Sequence, residues 1–135
     1  MMAARACLAL LLAAAGFGCG AGPDVGSLKE SFAHQIEIID LVRDLELDGD
    51  EVRFLRPDGS GEDVSWRVAI NSAIVNPQDN KVLPYRGIIT ASWYANDRAL
   101  LSGGGTSELP LWILDAGLSQ ECWAFWEQSV GRWDW

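Results

Sequence analysis

The sequence predicts an α+β domain in which one amino-terminal helix packs on an antiparallel sheet of about six strands. One segment near residue 30 repeats apolar residues at helical spacing, and the segments after it alternate apolar and polar residues. A chain of 135 residues with no internal repeat and no second boundary forms one domain at most. A small β-barrel or sandwich is the alternative architecture.

The predicted helix covers residues 28–40. Glu30 follows Ser27 by three residues, which predicts a capping box because each side chain can satisfy the other residue's free backbone N–H. The apolar face consists of Leu28, Phe32, Ile36 and Ile39. We expect the strands that follow to bury this face.

The first two strands form a hairpin around the turn at residues 48–50. Apolar residues alternate on both sides of it, at Leu45, Leu47, Val52 and Phe54. A turn centred on residues 48 and 49 would set Glu46 against Glu51, and like charges directly opposite are destabilising. We therefore expect the turn one residue later, with Glu46 opposite Arg53 and Leu45 opposite Phe54.

Two longer strands form the centre of the predicted sheet. The apolar face of the first consists of Val64, Trp66, Val68 and Ile70, and its pattern resumes at Ile74. A turn-rich loop at residues 76–81 precedes the second, whose apolar face consists of Tyr85, Gly87, Ile89, Ala91 and Trp93. We expect Trp66 and Trp93 to lie in the core.

The last third of the chain predicts a loop at residues 102–107, a strand at residues 109–114 and a final hairpin of residues 121–127 and 132–135. Pro110 indicates that the strand starts late or lies at an edge. The candidate contact residues for a ligand or partner are the tryptophans Trp123, Trp126, Trp133 and Trp135. They either pack across the hairpin or form an aromatic platform for a sugar ring or an apolar partner.

The charge balance excludes one class of partner. Lys and Arg together number 10, Asp and Glu number 19, and the net charge is −9 at pH 7. An acidic chain repels phosphate, so we expect no nucleic-acid partner. With 49% hydrophobic residues the chain is also unlike a disordered acidic tail.

The amino-terminal segment predicts export. Arg5 is the only charged residue before Asp24, and it precedes an apolar run at residues 7–15. A positively charged amino-terminal region, a short apolar run and small residues at the cleavage site are typical of a signal peptide. The run is too short to span a membrane as a helix.

The four residues Gly16, Phe17, Gly18 and Cys19 resemble the lipobox of bacterial lipoproteins, although that family usually has Leu at the first position. The resemblance implies a signal peptide at residues 1–18 and a lipid on Cys19. The Gly- and Pro-containing composition of residues 20–26 then predicts a flexible tether, and the helix and strand patterns predict one domain at residues 27–135. The lipid would then be the membrane contact.

The residue after the cysteine is Gly20 rather than Asp, which by the sorting rule of that family implies the outer membrane. The alternative is ordinary secretion as a periplasmic or released protein, with cleavage after Gly18 or Ala21. A lipid on Cys19 leaves Cys122 without an intramolecular partner, as a small buried hydrophobe. Without the lipid the two cysteines could form a disulfide.

No pattern in the sequence predicts catalysis, a cofactor or a metal site. The residues from Asp44 to Gly49 resemble the start of a calcium loop, but the twelfth position is Leu55, which cannot bind a cation. The single histidine, His34, lies on the predicted helix, and no nucleophile motif surrounds Cys122 or any serine. We therefore expect no enzyme, and an envelope hydrolase that uses a pair of the 19 acidic residues is the alternative left open.

These observations together predict an exported lipoprotein of the bacterial cell envelope. Its expected role is that of a non-catalytic structural or protein-binding module with an envelope protein as partner. The alternative is a glycan-binding module that uses the carboxy-terminal tryptophans. The solvent exposure of those four side chains distinguishes the two functions.

Overall fold

The structure is a computed structural model that describes residues 22–100 and 109–135. The predicted signal peptide, the proposed lipid site at Cys19 and the predicted loop at residues 102–107 lie outside the described residues.

One helix packs on an antiparallel sheet that curls into a half-barrel, which confirms the predicted fold class. The sheet order is β1-β2-β3-β4-β6-β7, and β5 pairs with β4. In chain order the elements are α1 (Val25–Glu37), β1 (Arg43–Asp48), β2 (Glu51–Pro57), β3 (Asp63–Pro77), β4 (Tyr85–Ala95), β5 (Arg98–Ala99), α2 (Leu111–Leu114), β6 (Glu121–Glu127) and β7 (Arg132–Asp134).

Helix α1 begins earlier than the sequence predicted, and the capping box of Ser27 with Glu30 was wrong. The cap is Asp24, whose carboxylate accepts a hydrogen bond of 2.8 Å from the backbone N–H of Ser27. A carboxylate caps a helix as well as a hydroxyl does, and this one lies three residues upstream. Val25 and Gly26, expected in the flexible tether, therefore belong to the first turn.

The first hairpin has the predicted turn and charge pairing. Glu46 lies opposite Arg53, and the two-residue turn consists of Gly49, at a φ of 64°, and Asp50. The expected pairing of Leu45 with Phe54 falls in a bulge between Arg43 and Glu46, where the register shifts.

A second bulge changes the face of β3. Trp66, Val68 and Ile70 are buried as predicted, but the register then shifts between Ile70 and Ser72. One extra residue reverses the alternation of the strand, so Ala73 and Val75 pack on the core instead of Ile74. Ile74 is 46% exposed, and the expectation that the apolar face resumes there was wrong.

Residues 109–114 do not form a strand, and the expectation that they do was wrong. Pro110 precedes the short helix α2, whose first turn closes when Ile113 and Leu114 donate backbone hydrogen bonds to the Pro110 carbonyl. Ile113 is buried, and Trp112 packs edge-on against Trp66, with ring centroids 5.0 Å apart. The short apolar run thus covers one end of the core.

The close approach of α1 to the sheet depends on Gly87 in β4. Leu28, Phe32 and Ile36 of the helix are fully buried. A Cβ atom at Gly87 would lie 2.5 Å from a Leu28 methyl carbon and 3.1 Å from the Trp133 ring. Both neighbours are themselves enclosed in the core, so neither has free space to move into.

We expect Gly87→Ala to lower the free energy of unfolding by about 1–3 kcal/mol, because it overpacks the contact between helix and sheet. Denaturation by urea measures this. Gly59→Ala is the matched control, because a Cβ there meets nothing within 4 Å. Equal stability of the two variants would contradict this description of the core.

Candidate functional site

Three of the four carboxy-terminal tryptophans lie on the inner face of the sheet. The Trp133 indole N–H donates to Ser27 Oγ at 3.2 Å, and the Trp135 indole N–H donates to Ser31 Oγ at 2.8 Å. Trp126 packs edge-on against Trp133, with ring centroids 5.3 Å apart. Trp133 and Trp135 thus attach the end of the described chain to α1, and Trp126 packs on Trp133, which supports the packing interpretation for these three rings.

Trp123 lies alone on the outer, convex face, and its side chain is 43% exposed. Its neighbours in β6, Cys122 and Ala124, are buried, so the alternation of the strand directs Trp123 outward. The four tryptophans therefore do not form one surface.

An apolar row crosses three strands at this place. Ile74 of β3 lies opposite Ile88 of β4, which lies opposite Trp123 of β6. Phe125 and Arg86 form the next pair toward the end of the sheet. We call the surface formed by Ile74, Arg86, Ile88, Trp123 and Phe125 the Trp123 patch. The solvent face of an antiparallel sheet is ordinarily polar, so apolar side chains grouped there indicate an interaction surface.

Arg86 is the charged member of the patch. Its guanidinium carbon lies 4.7 Å from the centroid of the Trp123 ring. Its Nε is buried and has no hydrogen-bond partner, and no described residue accepts a bond from the guanidinium. A buried donor without an acceptor costs about 1–3 kcal/mol, so the hydrogen-bonding capacity of the Arg86 guanidinium is not fully used within the described residues.

The other arginines on the outer face differ from Arg86 because they are matched by carboxylates of this chain. Arg53 lies 2.7 Å from Glu51 and 3.2 Å from Asp48. Arg67 lies 3.3 Å from Glu51. In an acidic chain, a cation that the described carboxylates leave unmatched is available to a carboxylate of another molecule.

Cys122 is unsuited to nucleophilic chemistry. Its thiol donates to the Ser119 carbonyl at 3.0 Å and accepts from the Ser119 N–H at 3.3 Å. Burial raises the pKa of Cys122 to about 11, and the nearby Glu121 charge acts in the same direction. A reactive thiol needs a lowered pKa. The exposed His34 instead lies 3.6 Å from Glu37 on the helix surface.

The acidic turn residues considered for calcium have partners within the chain. Asp48 lies 3.2 Å from Arg53, and Asp50 accepts a hydrogen bond from Lys29. Within residues 22–100 and 109–135, no three His, Cys, Asp or Glu side chains group as metal ligands. Across the same residues, no helix is long and apolar enough to cross a membrane.

Sequence reasoning found one residue of the Trp123 patch and missed the rest. Ile88 and Arg86 occupy the alternate positions of β4, so an apolar Ile88 on the polar face was an available signal. Ile74 faces outward only because of the bulge after Ile70, and no residue pattern in the sequence predicted that bulge. Phe125 was the second available signal, because it alternates with the buried Ala124.

Comparisons with protein-family models, with curated proteins and with solved structures find no match to this chain. A fold class of this kind carries many functions. The function therefore has to be inferred from the residues of the site.

We expect the chain to lose stability as the pH rises from 9.0 to about 11, because the unfolded thiol of Cys122 ionises at its ordinary pKa of 9.0 while the folded thiol keeps its proton to about 11. The stability that the protonated thiol contributes is complete below pH 9.0 and decreases by about 2–3 kcal/mol across this window.

Urea denaturation at both ends of this window measures the loss, and Cys122→Ala is the control because it lacks the titrating group. Other groups titrate alike in the two proteins, so the difference between them isolates the thiol. The same pH dependence in both proteins would contradict the burial of an unionised thiol.

Proposed function

We propose that this chain is an exported lipoprotein of the bacterial cell envelope, anchored by a lipid on Cys19, whose domain binds a protein partner and catalyses no reaction. The support for export and anchoring is the positive Arg5, the apolar run at residues 7–15 and the lipobox-like residues that end at Cys19. Gly20 after that cysteine favours the outer membrane.

The burial of Cys122 favours a lipid over a disulfide at Cys19. The side chain of Cys122 is enclosed on the inner face of β6 and bonded to Ser119. A disulfide with Cys19 would remove the hydrogen bond that the Cys122 thiol donates to the Ser119 carbonyl, and the sulfur of Cys19 would have to reach a side chain that is 1% exposed. A lipid on Cys19 leaves this core undisturbed.

The Trp123 patch is the observation that supports partner binding. It joins exposed apolar area to a guanidinium that has no acceptor among the described residues. Aromatic and arginine side chains at the centre of a contact contribute most to protein binding. The partner that fits is a protein that presents an apolar side chain to Trp123 and a carboxylate to Arg86.

Two other occupants fit the patch less well. A second copy of this chain would bring a net charge of −9 against −9, and like net charges oppose association. A sugar would need the open face of an aromatic ring, and the Arg86 guanidinium lies over the ring of Trp123. The other three tryptophans lie on the inner face, so they do not extend the patch.

The experiment is site-specific photocrosslinking in intact cells of the native organism. A photoreactive benzoylphenylalanine replaces Ile74 in the full chain, and a second strain carries it at Ser65, which is exposed on the same face at the far end of β3. We expect one heavier adduct from the Ile74 position and none from the Ser65 position.

The dependence on charge is the second arm of this experiment. Arg86→Ala in the Ile74 background removes the donor that would pair with the partner's carboxylate, and we expect it to lower the adduct yield several-fold. Arg98→Ala removes an exposed arginine elsewhere and leaves the yield unchanged. The proposal is wrong if no adduct forms, if the adduct has the mass of two copies or if a glycosidase removes it. It is also wrong if Arg86→Ala leaves the adduct yield unchanged.

A further inference from the structure

The chain enters the domain at one end of the half-barrel. Gly22, the first described residue, lies against the ring of Tyr85, and a Cβ atom there would overlap with Tyr85 Cζ. Only three peptide units separate Cys19 from Gly22, and they span at most about 11 Å when fully extended. A lipid on Cys19 therefore holds this end of the domain close to the bilayer.

Two loops at this same end present exposed apolar side chains. Val82, in the loop between β3 and β4, is 68% exposed, and Val130, in the turn between β6 and β7, is 57% exposed. The two loops are joined, because the Gln128 N–H donates to the Val82 carbonyl at 3.2 Å. The Asn80 side chain accepts from the backbone N–H of Val82 at 2.9 Å, which stabilises the tip of its loop.

Aromatic side chains lie directly behind these tips. Tyr85 and Trp126 are opposite each other on β4 and β6, at the ends of both strands, and both are half-buried. Tyrosine and tryptophan favour the boundary between lipid and water, because each ring combines an apolar body with a polar group.

Charge does not distinguish the two ends of the sheet. The end at Val82 carries Asp79, Glu127 and the helix cap Asp24 together with Lys81 and Arg132, and Arg132 lies 3.7 Å from Glu127. The opposite end carries Asp58, Glu62, Asp63 and Asp97, but Arg43 and Arg98 lie there too, and Arg43 forms an ion pair with Asp63. Because cations accompany the carboxylates at both ends, an anionic membrane surface does not repel the end that bears the valines more than the other.

We infer that the end formed by Val82, Val130, Tyr85 and Trp126 is a membrane-contacting surface that rests on a phospholipid bilayer beside the lipid anchor. The two valines enter the interfacial region of the bilayer, with the two rings at the level of the headgroups. The Trp123 patch lies on the outer face next to this end, and its pair of Arg86 and Phe125 directly follows the pair of Tyr85 and Trp126. This inference rests on the proposed lipid at Cys19.

The test uses the full chain purified from membranes and reconstituted in vesicles of phosphatidylethanolamine and phosphatidylglycerol. Nitroxide labels are attached to Val82→Cys and, separately, to Val130→Cys. The control variants are Leu111→Cys, an apolar position 72% exposed on α2, and Ser60→Cys at the opposite end of the sheet. The native Cys122 is buried with a raised pKa and does not compete for the label.

The measurement is the ratio of the label's accessibility to oxygen, which concentrates in lipid, and to a water-soluble nickel chelate. We expect the ratio to rise several-fold at Val82 and Val130 on reconstitution and to stay unchanged at Leu111 and Ser60. Labels at the two valines that remain as accessible to nickel as the controls would overturn the inference.

The intact mass of the same samples separates the two proposals. An acylated chain whose valines stay in water overturns the membrane-contacting surface and leaves the proposed function standing. An unacylated chain that does not float with the vesicles overturns both proposals.

Discussion

The rest of the structure depends on the contact between α1 and the concave face of the sheet. Gly87 lets the buried Leu28 approach the backbone of β4, and the Trp133 ring fills the space beside them. The indole N–H groups of Trp133 and Trp135 then bond to serine hydroxyls on the helix, so no buried polar group is left open there. The first helix and the last strand are thereby stabilised together.

That arrangement also determines which side chains remain outside. Since the helix occupies the concave face, Trp126, Trp133 and Trp135 pack in or against the core. Trp123 faces outward because side chains alternate between the two faces along β6. The bulge after Ile70 adds Ile74 to the same outer row. The Trp123 patch thus follows from strand geometry, and Arg86 gives it an unmatched charge.

Much of this fold could be predicted from the sequence. Apolar periodicity determines which face of each helix or strand is buried, and the avoidance of opposed like charges determines the register of the first hairpin. They predicted the helix face, the central strands and the pairing of Glu46 with Arg53. They failed at Ile74, because no residue pattern around Asn71 predicts the β-bulge there. They also failed at residues 109–114, because a short apolar run is equally compatible with a strand and with a helical turn. The candidate site could not be predicted, because Arg86 and Ile88 become neighbours of Trp123 only through the register of three paired strands.

The proposed lipid on Cys19 decides both the membrane location and the orientation of the domain. The first experiment is therefore intact mass spectrometry of the protein purified from the membrane fraction of a bacterial host. We expect a species that begins at Cys19 and carries added acyl mass, with Cys122 as a free thiol. A soluble, unmodified species that begins after Gly18 or Ala21 would rule out the lipid, and a mass two hydrogens below the reduced value would indicate a disulfide between Cys19 and Cys122.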